Sequence, residues 1–302
     1  MKLLSHYMEY QAKQNPKIAN WENHIIGDSL SYSYRSTTYD RTTYPSNLHY
    51  HDYYELVIFE EGNINYICEG QIYHPQFGDI ILIPPSKFHM SAINCESTCY
   101  KRHVFYLYPS AFDAIGHNSL TRFLTSTCDA DMFTFNSLKS RQEFMDTAER
   151  LKEISQKSSS PLEDALRLSL IMHIFSLLNQ KGCLSKSITL SLPENILKLQ
   201  QYIDSNYSEI TSISDISKHF FYSREHISRL FKKYFDTSIS DYIMKKRISE
   251  SQSLIAQNLA LIDVAYQVGF SSLSTFIRAF KSVTGMTPSK YHKLKKEAHF
   301  DK

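Results

Sequence analysis

VAYQVGFSSLSTFIRAFKSVTG, Val264 to Gly285, decides the fold of the last third of this 302-residue chain. A short apolar stripe runs to Val268-Gly269, where a helix must stop and reverse. Glycine accepts the left-handed backbone that such a stop requires. Ser271 is placed to cap the helix that follows. In that helix Phe276 and Phe280 stand four residues apart and face a core, while Arg278 falls between them and points elsewhere. Thr287-Pro288 is a cap followed by proline at the first helical position, so it opens a last helix at TPSKYHKL. A short helix, a tight turn and a longer helix make a helix-turn-helix plan.

The plan occurs twice. ISKHFFYSREHISRLFKKYFD, from Ile216, aligns with the later stretch, Ser217 with Ala265 at an offset of 48 and Phe231-Lys232 with Phe280-Lys281 at 49. The second copy therefore has one extra residue near its turn. Two positions diverge. Phe221 stands at the first turn, where a left-handed backbone disfavours a bulky side chain. Asp236 stands where the second copy has Gly285, and Asp tolerates that conformation better than most residues.

Upstream the period changes. From about residue 30 to 108 Tyr, Ile, Val, Phe and Thr dominate and turn residues interrupt them. YELVIF ends at EEGN; NINYIC ends at Glu69-Gly70, a two-residue hairpin turn, before QIYH; PQFGD turns before IILIPP. Short strands at this spacing predict a small barrel or sandwich. Alternation puts His49, His51, Tyr53, Glu55, Val57 and Phe59 on one face and Leu56 and Ile58 on the other. Both faces are partly apolar, so a helix or a second subunit must cover the outer one.

After Pro109 the pattern is helical. Phe144, Ala148 and Leu151 form one stripe; PLEDALRLSLIMHIFSLLNQ begins with proline and two acids and carries Leu166, Leu170, Ile174 and Leu177. These two helices form a hairpin that either covers the barrel or pairs two subunits. KGCLSKSITLSLP, Lys181 to Pro193, reads as a linker, and everything beyond it as helix.

Net charge is only +2, but from Glu194 onward 16 Lys and Arg face 11 Asp and Glu, giving +5, against −3 for the rest. A basic C-terminal part fits a polyanionic partner. No apolar run has signal-peptide or membrane-span length, so the chain is expected to be soluble and cytoplasmic. The five cysteines, Cys68, Cys95, Cys99, Cys128 and Cys183, form no CxxC and no zinc framework, so they are expected to be reduced.

Residues from about 195 to 295 resemble the DNA-binding domain of the AraC/XylS family of bacterial transcription regulators. The resemblance stands on Ile262, Ala265, Gly269-Phe270, Ser272, Phe276, Arg278, Phe280-Lys281, Gly285, Pro288 and Tyr291, with Tyr242, Arg247 and Leu254 in the connecting helix. Ser217 and His292 depart from the family pattern. The resemblance implies that the second helices of both motifs enter successive major grooves ~34 Å apart. It places Glu225, Ser228 and Arg229, then Leu273, Ser274, Thr275 and Arg278, toward bases. Arg can hold guanine O6 and N7 bidentately, and Leu or a Thr methyl can meet a thymine methyl. Ser223, Arg224, Lys232 and Lys281 suit phosphates.

The upstream part resembles the cupin superfamily, and in particular the cupin-like sensor domains found ahead of AraC-type DNA-binding domains. His49-x-His51-x3-Glu55-x6-Gly62 fits the first cupin motif. Gly78-x5-Pro84 followed by His89 fits the second, with Ser86 for the usual glycine and Ile93 for the usual asparagine. The resemblance implies an effector pocket lined by His49, His51, Tyr53, Glu55 and His89. In metallocupins the positions of His49, His51, Glu55 and His89 hold a metal, and three His with a carboxylate suit Mn, Fe, Ni or Zn. Metal binding and a purely structural role remain open beside the pocket.

The expected protein is α+β with two domains. Residues 1–135 form a cupin-like effector-binding barrel and 136–180 a helical hairpin suited to dimerisation. Residues 181–193 are the linker, and 194–296 an all-α DNA-binding domain with helix-turn-helix motifs at about 213–235 and 261–284. It is expected to be a transcription regulator rather than an enzyme, without a cofactor. The expected partners are double-stranded promoter DNA, a small-molecule effector such as a sugar, RNA polymerase and a second copy of the chain. The expected output is activation.

Overall fold

A computed structural model describes residues 24–26, 29–40, 48–108, 110–112, 116, 118–125, 129–156 and 160–300. Cys128, Pro109 and the N-terminal stretch lie outside them. The N-terminal part contains two antiparallel sheets. The larger has the order β1-β2-β8-β3-β6-β9-β10. Its strands are β1 (His24–Ile26), β2 (Leu30–Asp40), β3 (Tyr54–Glu61), β6 (Ile80–Ile83), β8 (Ser97–Leu107), β9 (Asp131–Phe135) and β10 (Leu184–Lys186). The smaller has the order β11-β5-β4-β7, built from β4 (Ile64–Cys68), β5 (Gln71–Tyr73), β7 (His89–Ile93) and β11 (Leu190–Ser191). The hairpin turn between β4 and β5 has positive φ at both Glu69 (49°) and Gly70 (83°), as a tight two-residue hairpin turn of the primed type requires.

The alternation on β3 sorts two cores. Val57 and Phe59 pack inward with Ile64, Tyr66, Tyr73, Ile81, Ile83, Tyr100 and Met132 between the sheets. Leu56 and Ile58 face outward into a second core with Phe105, Phe133 and Phe135. Helices α1 (Leu138–Ser155) and α2 (Pro161–Leu178) cover that outer face. Phe144, Ala148 and Leu151 of α1 and Leu170, Ile174, Phe175 and Leu177 of α2 are all buried there. The hairpin stripe therefore serves the barrel. Leu166, expected in that stripe, is exposed instead. The buried face of α2 is rotated toward Arg167, whose guanidinium donates to the Ile154 carbonyl at 3.1 Å.

The stretch expected to be a linker runs along both sheets. Leu184–Lys186 pairs with Phe133–Phe135, and Leu190–Ser191 pairs with Gln71–Ile72. Strands of three and two residues are too short to show a period in the sequence.

Seven helices follow: α3 (Glu194–Asn206), α4 (Ile213–Phe220), α5 (Arg224–Phe235), α6 (Ile239–Ala256), α7 (Leu261–Gln267), α8 (Leu273–Thr284) and α9 (Pro288–Phe300). Helix pairs α4–α5 and α7–α8 are the two helix-turn-helix units, and α6 joins them. Tyr242 near its start is buried against Phe231 and Phe235, whereas Ile248 and Ile255 belong to the core of the second unit with Phe276 and Phe280. Arg247 locks the joint. Its guanidinium donates to the carbonyls of Tyr207 (3.0 Å) and Ile210 (2.8 Å).

The turns behave as their residues demand. Gly269 has φ 93°, and a Cβ there would stand 2.2 Å from the Ser208 carbonyl oxygen. Asp236 (φ 51°) and Gly285 (φ 76°) occupy matching left-handed ends of α5 and α8. Phe221 is also left-handed, φ 55° and ψ 31°, a conformation that costs a bulky residue ~1–3 kcal/mol. The cap of α8 is Ser272 rather than Ser271. Ser272 is extended (φ −157°, ψ 152°) and its hydroxyl accepts from the Thr275 amide. It matches Ser223 at the offset of 49, which makes Ser271 the extra residue of the second copy. Thr287 caps α9 as expected, accepting from the Lys290 amide at 3.3 Å.

The two halves share a core. Leu48, Tyr50, Ile67, Phe88 and Met90, on the outer side of the small sheet, pack with Ile196, Ile227, Phe231 and Tyr242 of the helical part. Cys68, Cys95, Cys99 and Cys183 are free thiols. Among the described residues no helix is long and apolar enough to cross a membrane.

Candidate functional site

His51, Tyr53, Glu55 and His89 are brought together inside the barrel, each nine-tenths buried or more. His49 is held beside them by backbone bonds with His89, but its side chain is exposed. It therefore lies at the rim, where strict alternation had placed it inside. The reason is local: β3 begins only at Tyr54, and the chain bends before it. The His49 and His89 rings are 4.2 Å apart, and Tyr53 stacks on His51 at 4.2 Å with an interplanar angle of 6°. Tyr106 packs on the Tyr53 ring at 4.9 Å, and the Arg35 guanidinium lies over the Tyr106 ring at 5.2 Å.

The hydrogen bonding of this cluster is unusual. Nδ1 of His51 donates to the Tyr53 carbonyl (2.8 Å) and Nδ1 of His89 to the Lys87 carbonyl (2.9 Å). A carbonyl only accepts, so both imidazoles carry their proton on Nδ1. Both Nε2 atoms then converge on one oxygen of Glu55, at 3.0 and 3.2 Å. Burial pushes the Glu55 carboxyl up, but the two imidazoles outweigh it and hold Glu55 well below the usual carboxylate range. Burial drives His51 toward its neutral form, and Glu55 opposes this. An anionic oxygen facing two Nε2 atoms needs positive charge between them, either a proton or a metal ion. The ligand atoms of His49, Glu55 and His89 lie within 4.8 Å of one another. With the Nδ1 positions already tied to backbone, the donor set fits a divalent metal as well as a polar organic ligand.

Asp52 sits between His51 and Tyr53 and faces the other way. Its carboxylate accepts from the hydroxyls of Tyr108 (3.0 Å) and Tyr291 (2.9 Å) and pairs with the Lys295 ammonium (2.9 Å). Burial alone would raise its pKa; Lys295, Tyr291 and Tyr108 reverse that and lower it. Tyr291 and Lys295 belong to α9, and the Tyr291 ring packs edge-on against Phe280 of α8 at 5.5 Å. A second tie runs from the Lys245 ammonium to the Leu48 carbonyl at 2.9 Å. Leu48, next to His49, thus carries one tie and Asp52, next to His51, the other.

In the helical part Arg229 and Arg278 are exposed on α5 and α8, as are Glu225, Ser274, Thr275, Arg224, Lys232 and Lys281, while Ser228 and Leu273 are half-buried. Phe231 and Phe276 bury the opposite faces completely. The Ser223 hydroxyl accepts from the His226 amide at 3.1 Å, which leaves its own proton free for a phosphate oxygen.

Residues 32–175 match the family described as AraC-like ligand binding domain, and residues 216–294 match a helix-turn-helix domain family. The transcriptional activator AarP of Providencia stuartii is 33% identical over 97 residues, 32% of this chain and 72% of that protein. This chain belongs to the AraC family of transcription regulators. The likeness extends through both halves. The regulator YfiF of Bacillus subtilis is 23% identical over 269 residues, 84% of this chain and 81% of that one. The melibiose operon regulatory protein of Escherichia coli K12 is 20% identical over 263 residues, 82% and 84%.

For an AraC-family chain, reading its motifs finds the buried His–Tyr–Glu cluster and the outward arginines, but not the ties between the halves. Tyr291 stands in the family signature and reads as a core aromatic. Its hydroxyl reaches a carboxylate 239 positions away. Asp52 has no local signal except its place between His51 and Tyr53. Arg35 and Tyr106 were equally invisible, since neither belongs to a cupin motif.

Proposed function

We propose that this regulator binds a small polar effector, a sugar or related metabolite, among His49, His51, Tyr53, Glu55 and His89, and that this binding sets its grip on promoter DNA. One observation carries the reading. In His51-Asp52-Tyr53, the outer two side chains are buried in the barrel beside Glu55 and His89, and the middle one holds α9 of the DNA-binding domain. An effector that moves His51 or Tyr53 must act on Asp52. Imidazoles and a carboxylate suit polyol hydroxyls, and the Tyr53 ring braces the His51 imidazole that would meet them. The name of the melibiose operon relative supports a sugar, and that of AarP supports activation.

The mechanism is a population shift. The effector prefers one arrangement of barrel and helices, and only that difference in affinity moves the equilibrium. On DNA, Glu225, Ser228 and Arg229 of α5 and Leu273, Ser274, Thr275 and Arg278 of α8 face bases. Ser223, Arg224, Lys232 and Lys281 hold phosphates. Because the hairpin stripe is used by the barrel, a dimer would form through the exposed face of α2, at Leu162 and Leu166. RNA polymerase and cytoplasmic action belong to the same reading.

Melting of the full chain against a library of sugars and metabolites tests the pocket, because a ligand of the native state raises the melting temperature. A hit should also change the mobility shift of a duplex that the protein selects from a random pool. A hit lost in Glu55→Gln supports the reading; hits that ignore Glu55→Gln and His89→Ala, or that leave DNA binding unchanged, refute it. A second reading, a metal at His49, His51, Glu55 and His89, is favoured by the two Nε2 atoms facing one carboxylate oxygen. Such an ion would supply a Lewis-acidic anchor for an effector oxygen.

A further inference from the structure

The first helix-turn-helix unit has an aromatic pair turned out at its turn. Phe221 is 94% exposed and Tyr222 is 42% exposed. The second unit supplies the comparison within the same chain. There the matching residues are Gly269, which the approach of Ser208 forces to be glycine, and Phe270, which is 8% exposed in the core under the Arg247 guanidinium. In the first unit the same left-handed turn carries a phenyl ring with next to no contact within the chain. Glycine or asparagine would hold this turn with less strain. Backbone strain and an exposed ring both work against the isolated protein, so the residue needs an explanation from outside it.

Its position indicates what that is. Phe221 and Tyr222 immediately precede Ser223, the cap of α5, and all six residues from Phe221 to His226 are exposed. The Tyr222 ring lies 4.9 Å from that of His226 in the first turn of α5. At no more than ~3.6 Å of chain per residue, the Phe221 Cα lies within about 7 Å of the Ser223 Cα. We propose that Phe221, braced by Tyr222, is an apolar contact of this regulator with promoter DNA, packing on a deoxyribose or a thymine methyl at the edge of the groove that α5 enters. DNA offers such a surface between the phosphates held at a helix N-terminus and the base edges reached by Arg229. The proposal rests on the reading that α5 faces DNA.

The test uses the full chain and a duplex selected by the wild-type protein from a random pool, with affinity read by fluorescence anisotropy. Phe221→Gly should raise the melting temperature, since the strain is relieved, and weaken binding about five- to tenfold, as for the loss of a half-buried phenyl ring. Phe221→Asn, which also tolerates the turn, should behave alike. Binding within twofold of wild type for both, while Arg229→Ala binds more weakly, overturns the proposal and leaves α5 on DNA. If Arg229→Ala is silent as well, the placement of α5 fails and takes the proposal with it. A benzophenone amino acid at position 221 should crosslink to the duplex on irradiation. Crosslinking only to RNA polymerase in a transcription complex would overturn the DNA contact.

Discussion

Asp52→Asn should loosen the DNA-binding domain from the barrel without disturbing either fold. One carboxylate oxygen accepts from Tyr108; the other accepts from Tyr291 and faces Lys295 at 2.9 Å. An asparagine can keep the first bond, but presents an amide N–H₂ to the second pair. A hydrogen bond to a charged group contributes about 1.5–3 kcal/mol. Cutting a buried ion pair costs ~3–5 kcal/mol when the remaining charge stays buried. The Lys295 side chain is 18% exposed, so it can turn to water, and the larger range is too high. The expected loss is about 2 kcal/mol, a factor of about 30 in the contact equilibrium. Urea denaturation of Asp52→Asn, Lys295→Met and the double variant gives the coupling. Hydrogen exchange should rise selectively in α9, residues 288–300. A coupling below ~0.5 kcal/mol with unchanged exchange would remove Asp52 as the link between pocket and DNA-binding domain.

Three further outcomes follow from the geometry. Gly269→Ala should destabilise the chain by about 2–4 kcal/mol, since φ 93° is strained for alanine and the new Cβ meets the Ser208 backbone; a urea midpoint within error of wild type would refute the close approach. Burial lowers His103 from 6.5 to about 3. Between those values the unfolded chain takes a proton that the native state refuses, so stability falls as pH falls below about 6.5, by up to ~1.4 kcal/mol per pH unit. His103→Gln, which can keep a bond to the Tyr32 hydroxyl, should flatten that slope in melting curves from pH 7 to 5. Plasma mass spectrometry of untagged protein purified without chelators should find about one metal per chain if the second reading of the pocket holds; less than ~0.1 per chain removes it.

Where burial follows a period, the sequence foretold the structure. Phe276 and Phe280 reach a core because they recur every four residues, and Val57 and Leu56 part to opposite sides of a sheet because strands alternate. Gly269, Gly285 and Thr287-Pro288 were readable because each answers a backbone demand that few residues meet. Ser271 reads as a cap from its place after Gly269-Phe270, but the offset of 49 between the two copies points to Ser272, which is the cap. The rim position of His49 was hidden because alternation was extended into residues that precede the strand. The shared core of the small sheet and α5–α6, and the Asp52 contact with α9, join residues more than a hundred positions apart. No local pattern encodes such contacts, and these are the contacts by which a pocket could speak to a DNA-reading helix.

Whether both helix-turn-helix units read DNA is tested by a hydroxyl-radical footprint of the full chain on a duplex it selects from a random pool. Two protected patches are expected on one face of the helix, about one turn or ~10 base pairs apart. Arg278→Ala should weaken binding by about 1–3 kcal/mol and relax base preference under one patch, and Arg229→Ala should do so under the other. Protection that ignores sequence, or a footprint unchanged by both substitutions, would contradict that reading.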